Sequence, residues 1–174
     1  VVGGEGAAVL AWDFGEHLTS KGVDRELIER AKSYLWNISV VGIALDIKDY
    51  VNSMHDPTEG GVLQGLREIA SASSTSIVVE LDKLVVDEAV ATISRAAGLN
   101  PLKLLSSGSL IATVPEENLK DVITILETRK HPYTVCGYVK AGNPGKVIAV
   151  ENNKIAYAIE NDIVDEIYKL WKTA

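Results

Sequence analysis

The sequence predicts an α+β domain in which helices cover a mixed sheet that ends in an antiparallel hairpin near the C-terminus. Three observations support this class. Val, Ile, Leu and Ala are abundant whereas Phe occurs once and Trp three times, which suits an aliphatic core between helix and sheet layers. Candidate strands and helices alternate along the chain. The last third carries three successive short strand candidates, which favours antiparallel pairing at one edge over a doubly wound sheet.

The first third of the chain contains one strand candidate and two helix candidates. The small, apolar residues GAAVLAWDF at 6–14 predict a buried strand, and GEHLTSKG at 15–22 predicts a loop. Asp24 caps a predicted helix over 25–36, because apolar residues recur there with helical spacing and acids occupy its first turn. The run VGIALDIKDYVNSM at 41–54 also has helical spacing and leads into the segment HDPTEGG.

The middle of the chain continues to alternate. Leu63, Leu66, Ile69 and Ala70 predict a helix after two adjacent glycines. The other elements predicted here are a strand at 76–81, a helix within 85–97 that stops at Gly98 and Pro101, a strand at 109–115, and a helix that begins at Pro115 with Glu116 and Glu117.

Three strand candidates follow, YTVCGYV, KVIAVE and KIAYAI. They are separated by KAGNPG and by NN, which are turn sequences, so we expect an antiparallel hairpin or meander. The segment NDIVDEIYKLWKT at 161–173 predicts a closing amphipathic helix. No internal repeat or long linker divides the chain, and residues 1–174 are predicted to form a single domain.

Composition excludes several classes of function. The formal charge of −7 without a basic cluster argues against binding to nucleic acid or to an anionic membrane surface. The single cysteine, Cys136, fits a reducing cytoplasm and is predicted to be a buried strand thiol. His17, His55 and His131 are scattered without ligand spacing, so no zinc site is predicted. The apolar stretches are too short to span a bilayer.

The segment DPTEGG, which begins at Asp56, contains two adjacent glycines that cost a helix about 1 kcal/mol each relative to alanine. Two explanations stay open. In the first, Asp56, Pro57 and Glu59 form a capping box at a helix start, which leaves the glycines unexplained. In the second, the helix starts at the glycines, and the N–H groups of Gly60 and Gly61 hold a phosphate or a carboxylate.

The second explanation involves three neighbouring side chains. Thr58 would supply a hydroxyl donor, and Arg67 a further positive charge. Glu59 would repel a phosphate unless a magnesium ion or a cation of another subunit screened it.

A second loop raises a similar question. Ser106, Ser107 and Gly108 precede a predicted strand, where they either contact a ligand or serve only as a turn.

Three segments occur in a characteristic order: HDPTEGGVLQGLREIA, AAGLNPLKLLSSGSLIATVPEENL and VCGYVKAGNPGKVIAVENN. Their order resembles the C-terminal domain of the aminoimidazole ribonucleotide synthetase (PurM) superfamily, which includes HypE, selenophosphate synthetase and thiamine-monophosphate kinase. The HypE branch is the most similar, because its Asp-Pro-Thr-Arg-Gly-Gly segment corresponds to residues 56–61. Its Gly-Leu-Asp-Pro-Leu segment corresponds to the beginning of residues 98–115. The resemblance covers nearly the whole chain.

The resemblance implies the C-terminal half of a two-domain, ATP-dependent AIR synthase-related protein. The N-terminal half would form a homodimer and supply most ligands of ATP and Mg²⁺. We expect that half to precede this chain, which begins at Val1 and has Met54 as its only methionine. The C-terminal half would close over the phosphate or activated substrate with its glycine-rich loop. By the same resemblance, the site residues in this chain are Asp56, Thr58, Gly60 and Gly61.

The sequence also departs from the family pattern. Glu59 stands where the HypE branch has Arg, and the chain ends without the terminal cysteine of that branch. Residues 106–112 lack the Gly-Glu-Asp-Tyr segment of the thiamine-monophosphate kinase branch. No catalytic base follows from this half, so we expect no turnover by the chain alone. Two functions remain: the C-terminal half of a HypE-like enzyme, or a non-catalytic binding or assembly module that retains the fold.

Overall fold

A computed structural model describes residues 1–171 of the chain. Its helices are α1 (Gly4–Asp13), α2 (Gly15–Ser20), α3 (Arg25–Lys32), α4 (Val41–Ile47), α5 (Gly61–Ala72), α6 (Glu88–Ala97), α7 (Leu119–Thr128) and α8 (Tyr168–Trp171). Its strands are β1 (Ser53–His55), β2 (Ser76–Glu80), β3 (Ile111–Thr113), β4 (Gly137–Lys140), β5 (Lys146–Glu151) and β6 (Lys154–Ile159). The predicted α+β class with a mixed sheet is confirmed.

Helix α1 lies where the sequence predicted a strand. The strand prediction at 6–14 is wrong, and so is the loop prediction at 15–22, which contains α2. Helix α1 packs against α3 and α6, and its Gly6 approaches Leu104 so closely that an added Cβ would lie 2.8 Å from the Cβ of Leu104. Because its buried residues do not form a single stripe, a short apolar run of this kind does not distinguish helix from strand.

The helices predicted in the middle of the chain are confirmed as α5, α6 and α7, and the helix predicted over 25–36 is confirmed in its α-helical part, α3. Helix α3 is capped by Asp24, whose carboxylate accepts a hydrogen bond from the Glu26 amide at 2.9 Å. Helices α1, α3 and α6 share the first hydrophobic core. Its fully buried members include Leu10, Ala31, Val90, Ile93, Leu104 and Ile167.

The main sheet has the strand order β4-β2-β5-β6. β5 and β6 form the predicted antiparallel hairpin, with Asn152 and Asn153 at positive φ in the turn. The prediction of a hairpin between the first two strands of this region is wrong, because β2 lies between β4 and β5. Strand β2 runs antiparallel to β4 and parallel to β5, which makes the sheet mixed. Cys136 immediately precedes β4 and is partly buried, and this burial raises the pKa of its thiol.

Helix α5 packs on one face of this sheet and forms the second hydrophobic core. The buried residues of this core include Leu63, Leu66, Ala70, Ile77, Val79, Val147 and Ala149. On the opposite face, Tyr138 is the register partner of Val78 and is 58% exposed.

A small second sheet pairs β1 with β3 in antiparallel register. Strand β1 overlaps the end of the run predicted to be helical at 41–54, of which only Val41–Ile47 forms α-helix. Helices α4 and α7 pack beside this sheet around Ile47, Val122 and Leu126.

The C-terminal segment has little regular secondary structure before its last turn of helix. Of the helix predicted at 161–173, the structure forms Tyr168–Trp171, and positions 172 and 173 lie outside the described residues. Within residues 1–171, no helix is long and apolar enough to cross a bilayer.

Candidate functional site

The loop at 56–61 connects β1 to α5. Its conformation distinguishes between the two explanations for the adjacent glycines. Gly60 is the N-cap of α5 at φ +79°, and the helix begins at Gly61. The capping box of Asp56 and Glu59 is therefore wrong, and the helix starts at the glycines. Asp56, Thr58 and Glu59 are exposed, whereas both glycines are buried.

Close packing explains why both positions are glycine. A Cβ on Gly61 would lie 2.6 Å from the carbonyl oxygens of Leu102 and Leu104. A Cβ on Gly60 would lie 2.7 Å from the Cβ of Gln64 and 2.8 Å from the Ile163 carbonyl oxygen. Both residues also have positive φ, which side chains disfavour. The glycines thus have a structural role whether or not the loop binds an anion.

The two glycine amides already have partners in the protein. The Gly61 N–H donates to the Thr58 carbonyl at 3.1 Å. The Gly60 N–H donates to Oδ2 of Asp165 at 2.9 Å, across 105 positions of the chain. The helix end predicted to hold a phosphate or a carboxylate therefore carries a carboxylate of the chain itself.

Asp165 is almost completely buried where it contacts the Gly60 amide. Its side chain is 1% exposed, and its Oδ1 accepts a hydrogen bond from the Ile167 amide at 2.9 Å. Burial raises the pKa of Asp165, although the bonds from the Ile167, Gly60 and Leu105 amides act in the opposite direction. The nearby charge of Glu59 raises the pKa further.

Arg67, which the sequence suggested as a further positive charge near the loop, contacts the C-terminal segment instead. Its guanidinium pairs with Asp162 and donates to the Glu160 carbonyl at 3.3 Å. Beside it, the Gln64 Oε1 accepts a hydrogen bond from the Ile163 amide at 2.9 Å. Arg67 therefore holds the C-terminal segment.

A pair of polar side chains that the sequence did not connect lies beside the loop. His55 Nε2 is 2.6 Å from Oε2 of Glu68, and the second carboxylate oxygen of Glu68 accepts a hydrogen bond from Gln64 at 3.0 Å. His55 ends β1, immediately before the loop. Helical spacing puts Gln64 and Glu68 on one face of α5, but nothing local in the sequence places His55 or Asp165 beside that helix.

The second candidate loop is a structural turn. The Ser106 hydroxyl donates to the Leu104 carbonyl and accepts from the Gly3 amide, both at 2.8 Å, and its side chain is fully buried. Gly108 has φ +86°, and a Cβ there would lie 2.5 Å from the Asn37 carbonyl oxygen. Of the two roles left open for Ser106 and Gly108, these contacts favour the turn.

The exposed part of the first loop consists of Asp56, Thr58 and Glu59. Carboxylate oxygens are suitable Mg²⁺ ligands when one or two of them share the ion with the phosphates of a substrate. In the described part of the chain, no group of three or more His, Cys, Asp or Glu could hold a metal ion by itself. These residues fit a magnesium-bridged phosphate better than a bare one, since the loop carries negative charge and its Gly60 amide is occupied.

Comparison with known proteins finds a family whose sequence pattern matches most of this chain. The sequence pattern of "AIR synthase related protein, C-terminal domain" matches residues 2–150. A hydrogenase expression/formation protein of Methanocaldococcus jannaschii is 29% identical over 152 residues, which are 82% of this chain and 44% of that protein. The chain thus spans less than half the length of this relative.

Solved structures agree on the fold. HypE of E. coli superposes with a TM-score of 0.71 and 22% identity, covering 96% of this chain and 50% of that one. The hydrogenase maturation protein HypE in complex with ATP superposes with a TM-score of 0.54 and 27% identity. That match covers 64% of this chain and 36% of the HypE chain.

Proposed function

This chain belongs to the AIR synthase related proteins as their C-terminal domain, and we propose that it is the C-terminal half of an ATP-dependent, HypE-like protein. In this role, the loop at 56–61 closes over a phosphate or an activated substrate. The observation that carries the proposal is the position of Asp56, Thr58 and Glu59, which are exposed at the start of the 12-residue helix α5. The positive end of the helix favours negative charge there.

Each residue of the loop has a distinct role in this proposal. Gly61 allows the loop to pack against the segment at 102–104, and Gly60 allows it to pack against the backbone of Ile163. The Thr58 hydroxyl donates to a phosphate oxygen. Asp56 contributes a carboxylate to a Mg²⁺ ion that the phosphates share, and Glu59 does the same or is screened by that ion. When bound, ATP supplies the phosphoryl group.

The rest of the active site lies outside this chain in our proposal. The ATP complex of a HypE structure supports nucleotide binding by proteins of this fold. The N-terminal half would provide most ligands of ATP and Mg²⁺, and the full-length protein would act as a homodimer in the cytoplasm.

Calorimetric titration of the full-length protein with ATP and MgCl₂ tests the proposal. We expect Asp56→Asn and Thr58→Val each to weaken binding about tenfold, which corresponds to roughly 1.4 kcal/mol. The matched controls are Asp121→Asn and Thr124→Val, because both residues are exposed on α7. Unchanged affinity in both loop variants would refute a role of the loop in nucleotide binding.

A second candidate function is a non-catalytic binding or assembly module. It is favoured by the occupied Gly60 amide and by exposed apolar side chains on the sheet, where Tyr138 is 58% and Ile155 72% exposed. The same titration separates the two functions. Saturable, Mg²⁺-dependent ATP binding supports the enzyme, and its absence from the full-length protein supports the module.

A further inference from the structure

The carboxylate of Asp165 lies at the N-terminal end of α5, where it accepts a hydrogen bond from the Gly60 amide. Its Oδ2 accepts a hydrogen bond from the Gly60 amide and its Oδ1 one from the Ile167 amide, both at 2.9 Å. The side chain is 1% exposed. A buried carboxylate with an amide on each oxygen is well satisfied, and leaving it without those amides would be costly.

Residues 160–170, which we name the strap, are fastened on both sides of Asp165. Before it, the Ile163 amide donates to Gln64, and Asp162 pairs with Arg67. After it, the Glu166 carboxylate accepts from the Asn100 amide at 2.6 Å, and the Glu166 amide donates to the Lys103 carbonyl at 3.1 Å. These contacts join the strap to α5 and to the segment that packs against Gly61.

The strap also contributes to both hydrophobic cores. Ile167 is 1% exposed within the first core, and Ile163 packs against the second. Asp165 lies between these two apolar anchors. The strap therefore crosses the junction between the cores at the start of α5.

We propose that the carboxylate of Asp165 is the anion that normally occupies the N-terminal end of α5. While the strap is docked, it excludes an external phosphate from the Gly60 amide. The inference rests on the proposed function, since it concerns regulation of the same loop. One amide cannot serve two anions at once, and the charges of Asp165 and a phosphate would repel each other in a buried site. A phosphate reaches Gly60 only after the strap has lifted.

Hydrogen–deuterium exchange of the full-length protein, followed by mass spectrometry, tests the exclusion. The probe is inorganic pyrophosphate in the presence of MgCl₂, and the reference is sodium chloride at equal ionic strength with the same MgCl₂ concentration. In the wild-type protein, pyrophosphate should accelerate exchange in peptides that cover the strap, because bound pyrophosphate and the docked strap compete. This measurement requires no variant.

Asp165→Asn supplies the second arm. Asparagine has one carbonyl oxygen in place of two carboxylate oxygens, so exchange in the strap should rise, and pyrophosphate should bind about tenfold more tightly than to the wild type. The control is Asp82→Asn, because the Asp82 carboxylate also accepts a distant backbone amide, that of Asn152 at 2.7 Å. It should change neither strap exchange nor pyrophosphate affinity.

The outcomes separate this inference from the proposed function. Pyrophosphate that binds and protects the loop peptides while the strap keeps its wild-type exchange would overturn the exclusion but leave the loop as a phosphate site. Unchanged strap exchange in Asp165→Asn would overturn the anchoring role. A released strap with no pyrophosphate binding to either protein would overturn the exclusion and the phosphate role of the loop together.

Discussion

Gly61 lies so close to the Leu104 backbone that a Cβ atom on Gly61 would be 2.6 Å from the Leu104 carbonyl oxygen. The contact fixes the start of α5 against the segment that also carries Ser106. A side chain at Gly61 would have to displace backbone on two sides, since the Leu102 carbonyl oxygen is equally near. A bulky substitution there would disturb the fold as well as any bound phosphate.

Gly61→Ala should therefore lower the free energy of unfolding by about 3 kcal/mol. The positive φ contributes roughly 1–2 kcal/mol and overpacking a similar amount. Gly98→Ala is the matched control, because Gly98 has φ +71° but an added Cβ would meet nothing within 4 Å. It should cost only the part due to the positive φ, roughly 1–2 kcal/mol. Equal losses for the two variants in urea unfolding would show that the contact with Leu104 is not important.

The sequence predicted elements whose signals are local. Asp24 marked the cap of α3, apolar spacing marked α5, and the asparagine pair marked the β5–β6 turn. Family resemblance predicted the fold, which the comparisons confirm. Helix α1 was missed because its small residues are buried together and carry no helical stripe.

Long-range relationships could not be predicted. Turn chemistry between β4 and β5 suggested a hairpin, yet β2, which precedes both strands in the chain, lies between them. The candidate site shows the same limit. One of the two explanations left open placed the glycine amides at a helix start, as observed. The carboxylate that Gly60 contacts lies 105 positions away, where no local pattern marks it.

Asp165 and Glu166 are neighbours with opposite pH dependence. Burial raises the pKa of Asp165 above the ordinary aspartate value of about 3.9. The folded state therefore binds the proton more tightly than the unfolded state. The contribution of Asp165 to the free energy of unfolding should be largest below that ordinary value and fall as pH rises through the raised pKa.

For Glu166, burial acts to raise the pKa. The hydrogen bonds from Lys169 and the Asn100 amide, together with the charges of Lys169 and Lys103, outweigh burial, so the pKa is lowered. Its contribution should be present above the ordinary glutamate value of about 4.3 and be lost as pH falls through the lowered pKa. Urea unfolding of wild type, Asp165→Asn and Glu166→Gln between about pH 3 and 7 measures both. The free energy of unfolding of the wild type minus that of Asp165→Asn should fall as the pH rises. The corresponding difference from Glu166→Gln should grow as the pH rises. Slopes of the same sign would contradict this assignment.

Gln64 joins α5 to the strap by a hydrogen bond that water cannot easily replace. Its side chain is 8% exposed, and its Oε1 accepts from the Ile163 amide at 2.9 Å. Gln64→Leu should lower the free energy of unfolding by about 2 kcal/mol, because the Ile163 amide loses its partner. Hydrogen–deuterium exchange should show the loss at Ile163. Thr124→Val, on the exposed face of α7, is the control and should leave exchange at Ile163 unchanged. A stable Gln64→Leu variant with a protected Ile163 amide would contradict the prediction.

Tyr34 links the first core to the start of α6. Its hydroxyl donates to Asp87, the N-cap of α6, which also accepts from the Ala89 amide at 2.9 Å. Burial, together with this bond to a carboxylate, raises the pKa of Tyr34 to about 12. Tyr34→Phe should cost about 2 kcal/mol in the free energy of unfolding, because a bond to a charged acceptor is lost. In an alkaline absorbance titration of the folded protein, it should also remove one tyrosine that ionises near pH 12.

Tyr138→Phe is the control for this prediction, since Tyr138 is 58% exposed on the sheet. It should change the free energy of unfolding by no more than about 0.5 kcal/mol. The titration curve of Tyr138→Phe should retain the ionisation near pH 12 that Tyr34→Phe removes. If both variants keep that ionisation, the tyrosine bonded to the cap of α6 is not the one that titrates late. If Tyr34→Phe removes this ionisation without a loss of stability, the bond to Asp87 raises the pKa of Tyr34 but does not hold α6 in place.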